Sequence, residues 1–442
     1  MELIRKFIEF FLNRKWLGIL LVLGLAWGVG ISTFYRGAIA PKQRTDLTVF
    51  LMAGKMVSEG RANHIYGIEN SRHWHYNYPP ILAVLLAPVS KWPLAATVSL
   101  AYLLSVACLI GTAILSLRLP ENTESSNAGP QGHEGVPRSP GYRPAPWQIT
   151  LAMIFCLPVF LNTLTRGQLG IITLFFMAVI FHQYLAGRKV LTGLLLGFAV
   201  TLKISPLAFL VLFFLMKREW KILFSTAAGF GLFFILIPSL AIGFHQNWEL
   251  LKLWKNIMSS SQSDTAYQHY LWGELFTPFA GDNQSLYAVI TRIVWPSEKL
   301  FIGHSNAVVR WITTGIGIAL LALPFAQSQK KSSATMPQDP VRLLAEFSLF
   351  PMLMLFTAPV TQIHHYTVTY FLFLTALLMF QNHPSGSRTR PWLCLSLWMC
   401  ALSLSMGMIF DLAGGWGIPL WGSLFLWFVV LFSLNNNESH GI

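Results

Sequence analysis

The chain is 442 residues long, 54% hydrophobic and only 11% charged, with mean hydropathy +0.53. Globular domains carry roughly a quarter charged residues, so this balance excludes an ordinary soluble protein and calls for many spans of about 20 residues. The formal charge of +13 is no nucleic-acid footprint, because Lys and Arg are spread between apolar runs and no basic helix or RNA-binding motif occurs.

The first apolar run is Trp16 to Phe34, after Arg14-Lys15. Ala38-Ile39-Ala40 looks like a cleavage box, but the run exceeds a signal h-region, so an uncleaved first span is expected. The polar stretch 35–79 follows and holds Asp46 and the aromatic run Trp74-His75-Tyr76-Asn77-Tyr78-Pro79-Pro80. The next runs are 80–91, 94–117, 147–164, 169–186, 190–202, 205–216 and 221–243. Run 80–91 is too short to cross and reads as a helix dipping in from the outer face. Segment 118–146, rich in Pro, Gly and Ser, reads as a flexible cytoplasmic linker. A second long polar stretch, 244–306, precedes runs 307–326, 343–358, 365–381, 392–411 and 418–434. The sum is an all-α polytopic membrane protein of about twelve crossings in one domain, 1–442.

Basic residues orient it. Arg5, Arg14, Arg118, Arg188-Lys189, Lys217-Arg218, Lys330-Lys331 and Arg388 fall in stretches that alternate with the two long polar ones. The positive-inside rule then puts both termini in the cytoplasm and both 35–79 and 244–306 outside. Segment 190–216 has basic residues at both ends, so it is expected as a hairpin of two short arms. Arms of 12 or 13 residues reach roughly 20 Å, short of a hydrocarbon core of about 30 Å. Its tip, Lys203-Ile204-Ser205-Pro206, must then line a cavity. One long tilted helix broken at Pro206 is the alternative.

Each polar candidate has a plainer reading beside it. Asp46 is placed to be a base at the mouth of a bundle, or it caps a helix. Trp74 and Tyr78 offer stacking faces for a sugar ring, or form an interfacial aromatic belt. Thr165-Arg166-Gly167-Gln168 makes a tight turn in which Arg166 would clamp a phosphate and Gln168 a hydroxyl, or it is only a turn. A buried Lys203 needs an anion, either a phosphate or an internal carboxylate. Asp282-Asn283-Gln284-Ser285 is placed to cap a helix over 285–295. His364-His365 opens a span, but adjacent residues do not share a helix face, which argues against a metal pair. Cys108, Cys156, Cys394 and Cys400 lie in apolar runs without metal spacing. No Walker loop, GxSxG or HExxH occurs.

Taken in order, these motifs resemble glycosyltransferase family 87, the GT-C-type membrane enzymes that use polyprenyl-phosphate sugars. The resemblance runs through Asp46, Tyr66, Tyr78-Pro79-Pro80, Gly167-Gln168, Gly197, Lys203-Ile204-Ser205-Pro206, Asn283-Gln284-Ser285, Arg292 and His364-His365. Arg166 departs from it, since Asn often precedes the Gly-Gln pair there. The resemblance implies a GT-C-like bundle with re-entrant helices in the cytoplasmic membrane, its site facing the exterior. It implies transfer of one sugar, mannose or arabinofuranose, from a polyprenyl phosphate to a glycolipid or cell-envelope glycan, with inversion and Asp46 as base. Lys203, Arg292, Arg166, His364 and His365 would meet the donor phosphate, and Gln168, Tyr66, Tyr78, Trp74, Asn283 and Gln284 the sugar or acceptor. Neither a cofactor nor a metal is expected; the partners are donor, acceptor and membrane lipids. A secondary transporter or lipid flippase is the alternative, supported by span number and by Lys203 in a broken segment.

Overall fold

The computed structural model describes residues 5–6, 9–10, 15–40, 45–119, 143–329 and 340–436. Most of the expected linker 118–146 lies outside these residues. The described chain is helical, and its only β pairing is two isolated bridges, Glu69 with His75 and Asn283 with Gln362.

Six described helices are long and apolar enough to cross a bilayer: Leu94–Leu117, Trp220–Ile242, Ala307–Gln327, Pro340–Thr357, Ile363–Asn382 and Thr389–Ile409. Pro146–Phe155 and Leu157–Arg166 add a seventh if the pair, bent by 61°, is one span. The bend has a cause: Pro158 begins the second half and cannot continue the hydrogen bonds of the first. The protein is thus a multi-pass membrane protein, but the structure does not give twelve crossings. Several of the expected spans fold as shorter helices, such as Gly170–Leu185 with 16 residues and Lys189–Leu202 with 14.

Pro340–Thr357 and Ile363–Asn382 are the most buried of these spans and form an axis, packed on each other and on Ala307–Gln327 and Thr389–Ile409. Between helices in lipid, apolar surface gains little from association, so close packing and polar bonds hold the bundle. Phe347 packs against Phe181, Phe213 and Phe371. Tyr370 donates to Ser116 Oγ at 2.9 Å, and Trp427 Nε1 to the Leu349 carbonyl at 3.0 Å.

Segment 190–216 does turn back on itself. Lys189 Nζ lies 2.7 Å from Glu219 Oε2, so its two ends meet. The first arm presses against the helix Trp220–Phe230 at two glycines. A Cβ on Gly193 would stand 2.4 Å from the Ile222 carbonyl oxygen, and one on Gly197 2.7 Å from the Phe230 nitrogen. Past this contact the helix stops, and Lys203 takes an extended backbone at the tip.

The stretches 35–79 and 244–306 are not open loops. Helices Asp46–Ser58, Pro80–Leu86 and Phe244–Ser260 fold over one end of the bundle as a cap. Its own core includes Leu47, Phe50, Tyr66, Tyr76, Leu250 and Phe276.

Candidate active site

A cavity of about 850 Å³ lies between bundle and cap. The hairpin tip supplies Lys203 and Ser205 to it, the start of the axial helix supplies His364 and His365, and the cap supplies Trp74, His75, Asn77, Tyr78, Pro79 and Glu274.

Asp46 is brought here by the start of its helix. Thr45 holds the cap position, and Asp46 is the first helical residue. A carboxylate in a first turn is favoured by the helix dipole. Its side chain is bonded across the cavity wall: Arg166 Nε lies 3.1 Å from Asp46 Oδ2. The same guanidinium has Nη1 3.7 Å from Asp282 Oδ2 and packs over the Trp74 ring at 5.2 Å. The departure from the family pattern is therefore the hub of the site.

Gly167 makes that hub possible. It ends the helix Leu157–Arg166 with φ +64, a conformation that glycine adopts without steric cost. A Cβ there would come within 2.9 Å of Leu47 Cβ, next door to Asp46. Gln168 then accepts from the Tyr78 hydroxyl at 3.1 Å, which joins the turn to the aromatic run. Pro80 sits at the start of its helix, as the Tyr78-Pro79-Pro80 signal predicts.

Three polar groups of the same cavity have no hydrogen-bond partner. Lys203 Nζ, Ser205 Oγ and His364 Nδ1 are buried and make no hydrogen bond within the protein. Lys203 and Asp46 are close enough to feel each other's charge. The rings of His364 and His365 meet edge to face at 4.4 Å, and His365 Nδ1 accepts from the Gln362 backbone.

Other expected residues are placed elsewhere. Arg292 directs its donors at five backbone carbonyls, those of Pro278, Ala280, Asn283, Gly414 and Gly415. It does not line the cavity. Asn283 accepts from the backbone of Thr361, and Gln284 donates to Gly281 and Gly414, so both also serve this clasp. Ser285 caps the helix Leu286–Val294 through Ala288 N at 3.1 Å. Tyr66 is buried behind the wall and donates to the Tyr78 carbonyl at 3.0 Å.

Sequence reasoning missed Glu274. It lines the cavity and accepts from the His75 backbone N–H at 3.0 and 3.1 Å. Burial pushes its carboxyl up to about 7, the His75 N–H opposes this, and the Asp46 charge adds to it. Nothing in Trp272-Gly273-Glu274 marks it, since the signal is burial.

These residues make one cavity that brings carboxylates and an aromatic wall together with polar groups that have no hydrogen-bond partner in the protein. The chain matches glycosyltransferase family 87 over residues 76–336, more than half its length, with Asp46 ahead of the matched stretch. It is 24% identical over 369 residues to the polyprenol-phosphate-mannose-dependent alpha-(1-2)-phosphatidylinositol mannoside mannosyltransferase of Mycolicibacterium smegmatis, covering 80% of this chain and 75% of that protein. No solved structure matches. The transporter and flippase alternative gives way to the family match: the protein is a glycosyltransferase and belongs to family 87.

Proposed function

We propose that this enzyme transfers one mannose from a polyprenyl-phosphate donor to a hydroxyl of a glycolipid or envelope-glycan acceptor, with inversion, at the outer face of the cytoplasmic membrane. The observation that carries the reading is the Lys203 amine, buried in the cavity with no hydrogen-bond partner. A buried charge left unpaired is costly, and a substrate phosphate supplies the missing anion. The relative's dependence on polyprenol-phosphate-mannose favours that donor and that sugar over arabinofuranose.

In this reading the donor phosphate sits against Lys203, with His364 and His365 beside it. Asp46 takes the proton of the acceptor hydroxyl as its oxygen attacks the anomeric carbon. The bond from that carbon to the phosphate oxygen breaks, and polyprenyl phosphate leaves. Charge grows on the leaving phosphate, where a fixed ammonium stabilises it without reorganisation. Arg166 holds Asp46 in place and adds a positive charge to the wall of the cavity that receives the phosphate. The leaving group needs no strong acid.

The test is sugar transfer in liposomes from polyprenyl-phosphate-linked mannose, with the arabinofuranose donor in parallel. Asp46→Asn should lower kcat by about 10²–10⁴-fold, the range for a lost general base. A variant that transfers at the wild-type rate sinks the assignment of Asp46.

A further inference from the structure

A second cavity, about 500 Å³, adjoins the first within the cap, and His75 lines both. Its size falls in the range of small-molecule sites, roughly 300–1,000 Å³. The chemistry of its wall is different. No Lys, Arg, Asp or Glu is among the described residues that line it. His75 and His269 meet Tyr270 there, and Asn63 and Asn256 add amides. The Tyr270 ring stacks on His269 at 4.4 Å and meets His75 edge-on at 5.1 Å. Burial lowers the pKa of both imidazoles from 6.5, so neither ring is charged at neutral pH; the carboxylate of Glu69 lies 3.7 Å from His75 Nε2 and is not part of the lining.

Tyr270 is 57% exposed, although it is a large aromatic held in a fixed stack. A ring held rigid against two others and left open on one face offers contact area at little entropic cost. What fits an uncharged aromatic corner edged by amides is a neutral ring with an apolar C–H face and a rim of hydroxyls. A phosphate does not fit, because nothing there offsets its charge. We propose that this cavity is an acceptor subsite, holding a sugar ring of the acceptor glycan next to the sugar whose hydroxyl reacts in the main cavity. The inference rests on the transferase reading above, and it adds that acceptors longer than one sugar are preferred.

The experiment uses the full-length protein in liposomes with polyprenyl-phosphate mannose and two acceptors, octyl α-mannoside and octyl α-mannobioside. The wild type should show a lower KM for the two-sugar acceptor. Tyr270→Ala should raise that KM about tenfold, a loss typical of one good contact. It should leave kcat, and the KM of the one-sugar acceptor, within about twofold. Tyr270→Phe should keep the preference, and Asn256→Ala should weaken it in the same direction. Equal KM values in the wild type, or equal changes for both acceptors, overturn the subsite. Binding is read separately by saturation-transfer NMR of free mannobiose without donor: signal in the wild type and its loss in Tyr270→Ala support the subsite, and silence in the wild type overturns it. This readout stands even if the proposed donor is wrong, so the two failures are told apart.

Discussion

Two cations picked out by the sequence, Arg292 and Lys203, have opposite surroundings. Arg292 faces five backbone carbonyls and staples the 278–283 segment to Gly414 and Gly415. Lys203 is the more deeply buried of the two, yet its side-chain nitrogen has no hydrogen-bond partner. A saturated cation does structural work, because every donor is already used. An unsaturated one costs stability unless something else arrives, so its persistence points to a ligand. Burial alone does not separate the two roles; the list of partners does.

The sharpest way to break this contrast is to exchange each cation for Met and read transfer and unfolding together. Lys203→Met should lower kcat by about 10²–10³-fold, the cost of removing one charge-stabilising group from a transfer step. Its unfolding midpoint in detergent should hold or rise, because an unpaired buried charge has gone. A lower midpoint with full transfer would make Lys203 structural. Arg292→Met should do the reverse, destabilising by on the order of 3 kcal/mol as the carbonyls lose their donors. Transfer measured on the folded fraction should stay within about tenfold of wild type. A large kcat loss in folded Arg292→Met would return it to the donor site.

How much of this was readable in the sequence follows from the range of each signal. Lys203 was legible because topology is local arithmetic: two short arms with basic ends leave the tip nowhere to go but a cavity. Asp46 and Gln168 were legible as polar residues flanking spans, and Gly167 as a turn. Arg292 was misleading, because the same charge serves a phosphate or a set of carbonyls, and only contacts with Gly414 and Gly415, over 120 positions away, decide between them. The number of crossings is harder to read from runs alone, for a related reason. An apolar run reports that a segment avoids water, and Lys189–Leu202 does so as one arm of a hairpin, with 14 residues, as well as a longer span would. Glu274 was silent, since its place in the wall is set by His75, 199 residues away.

The smallest expected effect tests the acids of the same cavity. Glu274 and Asp46 are both carboxylates in the wall, but Glu274 accepts from a backbone N–H while Asp46 is paired with Arg166. That bonding makes Glu274 a positioning residue for the aromatic wall, and Glu274→Gln keeps an acceptor for His75. Transfer should therefore stay within about tenfold of wild type, in contrast to Asp46→Asn. A second readout is the pH dependence of unfolding. The folded carboxyl is raised from 4.5 to about 7, chiefly by burial, so the fold favours its protonated form. The stability this gives is complete below pH 4.5 and is lost as pH rises through 7. The difference between wild type and Glu274→Gln should therefore fall across that window by about 1 kcal/mol, discounted for partial exposure, and then level off. His75 and His269, whose pKa values are lowered, slope the other way in both proteins and cancel in the difference. A flat or rising difference curve would place Glu274 in water, and a kcat loss as deep as that of Asp46→Asn would make it the base.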